Sequence, residues 1–134
     1  MVKKFIKLRL LSFRNAFIGW WHVIKTQQNA WIHAVTTLLV LVVSFWLQLS
    51  LLEWAILVLI IAVVWTAEFL NTALEIVVDL VCPESHPLAK AGKDVGAASV
   101  LIAAVCAIVI GSLVLGPPLL EKLAPVVEYF SSIF

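Results

Sequence analysis

The sequence predicts an all-α integral membrane protein: an amphipathic N-terminal surface helix followed by three transmembrane helices that pack as a bundle. Three observations predict it. Hydrophobic residues fill 63% of the 134 positions and charged residues 13%, roughly half the charged share of an ordinary soluble domain. Three apolar stretches each approach or exceed the roughly 20 residues that cross a bilayer. Basic residues collect on one side of those stretches. The length suits one domain, residues 1–134, and the composition excludes a water-soluble globule. No nucleic-acid partner is expected.

The first 25 residues are too polar to span. On a helical wheel Lys3, Lys7 and Arg14 share one face, and Phe5, Ile6, Phe13, Ala16 and Trp20 lie on the other. That division suits a helix over 1–29 lying in the membrane interface, its basic side toward anionic head groups. No cleavable leader is expected, because basic residues interrupt any apolar core there. Trp20, Trp21, Trp31 and Trp54 fall near predicted span ends and suit interfacial anchoring.

The first span is expected over about 30–52, with its apolar run from Ala34 to Leu52, and the second over 54–81. "SLLE" (50–53) forms the tight turn between them. "CPESHPLAKAGKD" (82–94) is expected as a polar loop, and the third span runs from Val95 to about 116. Gly116-Pro117-Pro118 is expected to stop it, since proline lacks the N–H of the helix ladder. Small residues in that span, among them Gly96, Ala103, Ala107 and Gly111, permit close helix approach. Cys82 and Cys106 lie far apart with no metal-ligand spacing and are expected as buried or interfacial thiols.

Lys3, Lys4, Lys7, Arg9, Arg14 and Lys25 precede the first acid, Glu53, and Lys90 and Lys93 lie on the same side of the membrane, against Lys122 alone opposite. The positive-inside bias therefore places the N-terminus and the 82–94 segment in the cytoplasm.

One feature resists a purely structural reading. Glu68, Asn71, Glu75 and Asp79 lie within an arc of roughly 80° on the second span. An acid at mid-bilayer costs about 2.5 to 3.5 kcal/mol on insertion scales, so this stripe must face a bundle interior, a wet cavity or a cation. A lone copy of the chain is expected to leave it uncovered, which calls for a neighbouring protomer. Glu84, His86, Lys90, Lys93 and Asp94 follow just beyond the span. Carboxylates for a hard divalent cation beside lysines for phosphate suit a magnesium-nucleotide site. A proton or ion pathway uses intramembrane acids as well, and a polar stripe also serves to bond helices together; the residue pattern leaves these alternatives open.

"EFLNTALEIVVDLVCPESHPLAKAGKDVGAASVL" (68–101) resembles the signature of the prokaryotic diacylglycerol kinase and undecaprenol kinase family, approximately E-x-x-N-[TS]-A-[IL]-E-x-x-x-D followed by E-x-H-x-L-x-x-x-x-K-D. The resemblance implies a small membrane enzyme of the bacterial cytoplasmic membrane, a homotrimer, that moves the γ-phosphoryl group of ATP to a lipid alcohol. It implies Glu68 as general base and Glu75 as a Mg2+ ligand. It implies Asn71, Lys93 and Asp94 at the triphosphate, and Glu84 and His86 near the adenosine. Asp79 would be a structural or phosphate-side group. The depth of Glu68 suits a base, and Glu75, about two turns nearer the cytosol, suits a metal.

The chain departs from the pattern before the first span. A second metal-binding glutamate stands there in the family, in a context like T-E-x-N-F-R-I-H, whereas this chain reads "TQQNAWIH" (26–33) and offers Gln27. An amide oxygen can ligate Mg2+ without a carboxylate's charge. Gln27 is thus the second candidate metal ligand, and a catalytically weakened relative acting as a lipid-binding or ion-conducting oligomer is the alternative. His33 stands where the diacylglycerol branch has an acid, and it and "HPLAK" (86–90) resemble the undecaprenol branch more, but Gln27 matches neither pattern, so the acceptor, undecaprenol or diacylglycerol, stays open.

Overall fold

Four helices follow one another with almost no chain between them: α1 (Val2–Thr26), α2 (Gln28–Leu47), α3 (Leu51–Val81) and α4 (Pro87–Ser131). The structure is a computed structural model describing residues 2–131, with side chains over 5–125 and at 128. The side chains of Lys3 and Lys4, counted above among the cytoplasmic charges, Lys3 also on the basic side of the first helix, lie outside the described residues. Three helical stretches, α2, α3 and residues 87–125 of α4, are long and apolar enough to cross a membrane, in agreement with the three expected spans.

The junctions are set by local chemistry. Gln27 takes an extended backbone (φ −103°, ψ 119°) and breaks the helix between α1 and α2, so α2 begins at residue 28, ahead of the apolar run that starts at Ala34. α2 ends where Gln48 turns left-handed at φ 58°. Ser50 and Glu53 then form a reciprocal cap: the Ser50 N–H donates to Glu53 Oε2 at 2.7 Å and the Glu53 N–H to Ser50 Oγ at 3.4 Å. The sequence S-x-x-E is a helix start of this kind. The expected turn at 50–53 therefore belongs to the start of α3, and the connection is Gln48–Ser50.

Two further expectations are corrected. The loop expected over 82–94 is confined to 82–86, because Pro87 takes the first helical position, where its missing N–H costs nothing. His86 Nδ1 accepts the Leu88 N–H at 3.2 Å and caps the new helix. Lys90, Lys93 and Asp94 thus ride on the first turns of α4. At the other end, Gly116-Pro117-Pro118 does not stop the helix, which continues to Ser131 through three prolines. Proline's φ is helical, and the residue before Pro117 is a glycine, which lacks the Cβ that clashes with the ring. Beyond the prolines, the Lys122 ammonium donates to the Trp46 carbonyl at 2.6 Å and sits 5.0 Å from the Trp46 ring centre. It thereby holds the extension against an otherwise unmatched carbonyl at the C-terminal end of α2. At 45 residues α4 is about 68 Å long, roughly twice the hydrocarbon thickness.

α4 packs chiefly on α3. The inner face of α3 carries buried Leu57, Ile60 and Val64 and then, in the same register, buried Glu68, Asn71 and Thr72. On α2 the matching face is Ala30, His33, Thr37, Val40, Ser44 and Leu47, of which Ala30, Ser44 and Leu47 are buried. Val23 and Ile24 at the end of α1 close over Ala30, with Trp65 and Phe69 of α3 packed against them. The Trp65 indole N–H donates to Thr37 Oγ1 at 3.2 Å, and Trp20 lies 5.7 Å from the Trp65 ring, so α1, α2 and α3 meet at one aromatic joint. Cys82 is half-buried and Cys106 exposed on the single chain; both are free.

Candidate active site

The polar stripe begins where the apolar face of α3 ends. Glu68 is 1% exposed and Asn71 8% within this one chain. The expectation that a lone copy leaves these groups uncovered is therefore corrected: α2 and α4 already enclose the deep half of the stripe. Glu75 is half-buried and Asp79 exposed, so the stripe grades from dry to wet along the helix.

Three buried polar atoms among the described residues have no hydrogen-bond partner: Glu68 Oε2, His33 Nε2 and Asn71 Oδ1. Buried polar atoms are rarely left so, and all three lie in this site. His33 Nε2 stands 3.7 Å from Glu68 Oε2, beyond direct hydrogen-bond distance. One and two turns along, Asn71 Nδ2 donates to Glu75 Oε1 at 3.1 Å and Gln27 Nε2 donates to Glu75 Oε2 at 3.2 Å. The break between α1 and α2 is what brings Gln27 to Glu75, 48 positions away in sequence.

Close packing fixes Asn71. Its Oδ1 points at Gly96 of α4, where a Cβ would collide with that oxygen and lie 3.0 Å from Leu74 Cδ2. Gly96 is thus required by the approach of α4 to the polar stripe. Gln27, Asn71 and Glu75 bring together one carboxylate and two side-chain amides and no sulfur ligand, with both amide nitrogens turned to the carboxylate. The Glu75 carboxylate suits Mg2+, which binds through one or two carboxylates and completes its shell with water and phosphate, and the Gln27 amide can turn its oxygen to the same ion. Among the described residues no cluster of three or more His, Cys, Asp or Glu side chains could hold a metal unaided.

The remaining sequence candidates lie outside this knot. The Lys93 ammonium is tied to Asp79, at 3.0 Å from Oδ1 and 3.1 Å from Oδ2, which gives Asp79 a partner. Asp94 pairs one turn back with Lys90 at 3.8 Å, on the exposed face of α4. Glu84 and His86 are exposed in the short connection, and the His86 side chain is engaged as a helix cap. His33 is the site residue whose role the sequence did not assign. Its signal was present: polar residues at 33, 37 and 44 interrupt an apolar run at the spacing of one helix face.

An apolar cleft of about 600 Å³ opens between α2, α3 and α4. It is walled by Val40, Leu57, Ile61, Ala107 and Leu115 among others, and His33 stands at the end nearest Glu68. A hydrocarbon chain has somewhere to lie beside the buried acid.

Comparison with known proteins agrees. A family model for prokaryotic diacylglycerol kinase matches residues 14–115. The chain is 42% identical over 108 residues to undecaprenol kinase of Bacillus subtilis, covering 81% of this chain and 88% of that protein. It is 44% identical over 113 residues to diacylglycerol kinase of Synechocystis sp., covering 84% of this chain and 65% of that protein. To diacylglycerol kinase of Escherichia coli it is 35% identical over 92 residues, covering 63% and 75%. Membrane-spanning helices, an enclosed carboxylate and these likenesses define a lipid kinase that works within a membrane. The chain belongs to the prokaryotic diacylglycerol kinase family.

Proposed function

We propose that this chain transfers the γ-phosphoryl group of ATP to the hydroxyl of a membrane lipid alcohol, of undecaprenol or diacylglycerol type, at the cytoplasmic face of the bacterial inner membrane. The observation that carries this reading is Glu68: an enclosed carboxylate with an unpartnered oxygen, between an apolar cleft and a cluster of oxygen donors. The lipid brings its hydroxyl from the bilayer side and ATP enters from the cytosol. Glu68 takes the hydroxyl proton as the lipid oxygen bonds to the γ-phosphorus. The bond from that phosphorus to the β–γ bridging oxygen breaks, and ADP leaves.

Glu75 and Gln27 are the residues that would hold Mg2+, with Asn71 toward the triphosphate. When bound, the ion supplies neutralisation of charge on the triphosphate. Lys93, oriented by Asp79, and Asp94 take the phosphate side, with Glu84 and His86 toward the adenosine. α1 lies along the inner membrane surface with the N-terminus cytoplasmic, as the distribution of lysine and arginine supports. The working unit is a homotrimer. Large apolar side chains exposed on the single chain, such as Leu38, Phe45, Leu101 and Ile108, suit lipid or neighbouring copies.

The test is incubation of purified protein with labelled ATP, Mg2+ and a panel containing both polyprenol and diglyceride. Phosphorylated lipid is expected, and its absence across the whole panel refutes the proposal. Glu68→Gln, which keeps the shape and removes the base, is expected to abolish turnover while the oligomer remains intact; retained activity would remove Glu68 from the base role.

A further inference from the structure

We infer that His33 is the second binding partner of the acceptor hydroxyl: the lipid oxygen accepts a hydrogen bond from His33 Nε2–H while its own proton points to Glu68 Oε2. The inference rests on the lipid kinase reading and deepens it. Three observations carry it. The two atoms face each other at 3.7 Å, too far to bond directly, and neither has another partner. An oxygen seated to one side of the line between them reaches both at ordinary hydrogen-bond length. A group that accepts from a ring N–H and donates to a carboxylate at once is an O–H, of water or of an alcohol, and the apolar cleft leading to the pair selects the alcohol.

The imidazole is also held in place. Its ring meets Trp65 edge-on at 6.2 Å and 68°. Trp65 is itself fixed by the Thr37 hydroxyl and stacked near Trp20 and Phe69. The ring therefore does not readily swing across to close the gap, and the pair stays set for a guest atom.

The third observation is direction. His33 lines the apolar cleft and is the side chain at which that cleft meets the acid. A guest arriving along such walls is an alcohol at the head of a hydrocarbon chain. His33 acts on the acceptor alone; the donors that would meet ATP lie on the other side of Glu68, toward Glu75. The contact therefore contributes to lipid recognition and to the aim of the attacking oxygen, and contributes nothing to nucleotide affinity.

The competing role is charge balance, in which His33 only steadies a buried carboxylate. Kinetics in mixed micelles separate the two. His33→Leu is expected to lower kcat/KM for the lipid alcohol by roughly ten- to a hundredfold, the range for losing a hydrogen bond at a charged group. The KM for ATP stays at the wild-type value. His33→Gln, whose amide N–H reaches into the same gap, recovers part of the loss, and His33→Asn, one methylene shorter, does not.

An unchanged lipid kcat/KM in His33→Leu overturns the inference, as does a matched deterioration of both KM values. If His33→Leu fails to assemble, the contrast between the Gln and Asn variants reads the same contact, and equal activity of those two also overturns it. A wild-type protein that phosphorylates no lipid at all removes the kinase reading instead, so the two failures are told apart.

Discussion

Gly96→Ala tests how tightly α4 is pressed on the polar stripe. The added Cβ meets Asn71 Oδ1 within contact distance and Leu74 Cδ2 at 3.0 Å. Neither neighbour is free to move: Asn71 is tied through its amide nitrogen to Glu75, and Leu74 sits on the same helix. Overpacking of a close contact costs about 1 to 3 kcal/mol. Against this, alanine is a better helix former than glycine by about 1 kcal/mol. Gly92, one turn earlier on α4, has nothing within 4 Å of its Cβ position, so Gly92→Ala collects the propensity gain without the collision. The difference between the two variants isolates the contact, and Gly96→Ala should be the less stable by about 1 to 3 kcal/mol. Reversible denaturation in detergent micelles measures it. Placing Gly96→Ala in an Asn71→Ala background should recover most of the loss, since the colliding oxygen is gone, and the double-mutant cycle gives the coupling directly. Equal stability of the two single variants, or no coupling to Asn71, would refute the argument that glycine is needed for this approach.

Other perturbations follow from the same coordinates. Gln27→Glu puts a second carboxylate against Glu75, in place of a 3.2 Å hydrogen bond. It should lower thermal stability in chelator, raise the stabilisation gained on adding Mg2+, and reduce the Mg2+ concentration for half-maximal activity; an unchanged Mg2+ titration would take Gln27 out of the metal shell. Lys122→Met keeps the aliphatic stem but removes the donor to the Trp46 carbonyl. It should cost about 0.5 to 1.5 kcal/mol in detergent denaturation and leave lipid and ATP kinetics alone. Asp79→Asn loosens the grip on Lys93, and because both side chains are more than a third exposed stability should change by less than about 1 kcal/mol. The KM for ATP should rise, and an unaltered KM would show that Asp79 does not aim Lys93.

The three spans were legible because composition and length decide whether a helix crosses a bilayer, and neither depends on tertiary contacts. The acidic stripe was legible because periodicity alone aligns 68, 71, 75 and 79. The turn was misplaced by a few residues because "SLLE" was read for its shortness, when its first and last residues cap a helix. The polarity of Lys90, Lys93 and Asp94 predicts a loop, yet a proline at the first helical position and a capping histidine start a helix there. Proline at 117 predicts a stop by its missing N–H, whereas a preceding glycine and an anchor at Lys122 let the helix pass. Gln27 meeting Glu75 needed the break between α1 and α2, which no local pattern announced. The cover over Glu68 was missed for a related reason: it depends on how α2 and α4 close around α3, and a wheel of one helix contains no such information.

Spacing along α3 also constrains how the proposed reaction is arranged. Glu68 and Glu75 are seven residues apart, about 10 Å along the axis. One carboxylate cannot both take a proton from the acceptor and hold the distal phosphates, so the two acids must serve opposite ends of the transfer. Asn71 lies between them, its amide nitrogen bound to Glu75 and its oxygen buried against Gly96. Charge sets a second constraint. Among the described residues, Lys93 is the lysine that an ion pair links to the stripe's acids, and it is already matched by Asp79. A triphosphate brought to this seam by its own chain alone meets more negative charge than positive. Mg2+ offsets part of that. The rest would come from further basic groups, and Arg14 and Lys25 on α1, of this chain or of a neighbour in the proposed trimer, are candidates. The deep end of the site is thus enclosed within one chain, and its nucleotide end is where a neighbour in the proposed trimer would add charge.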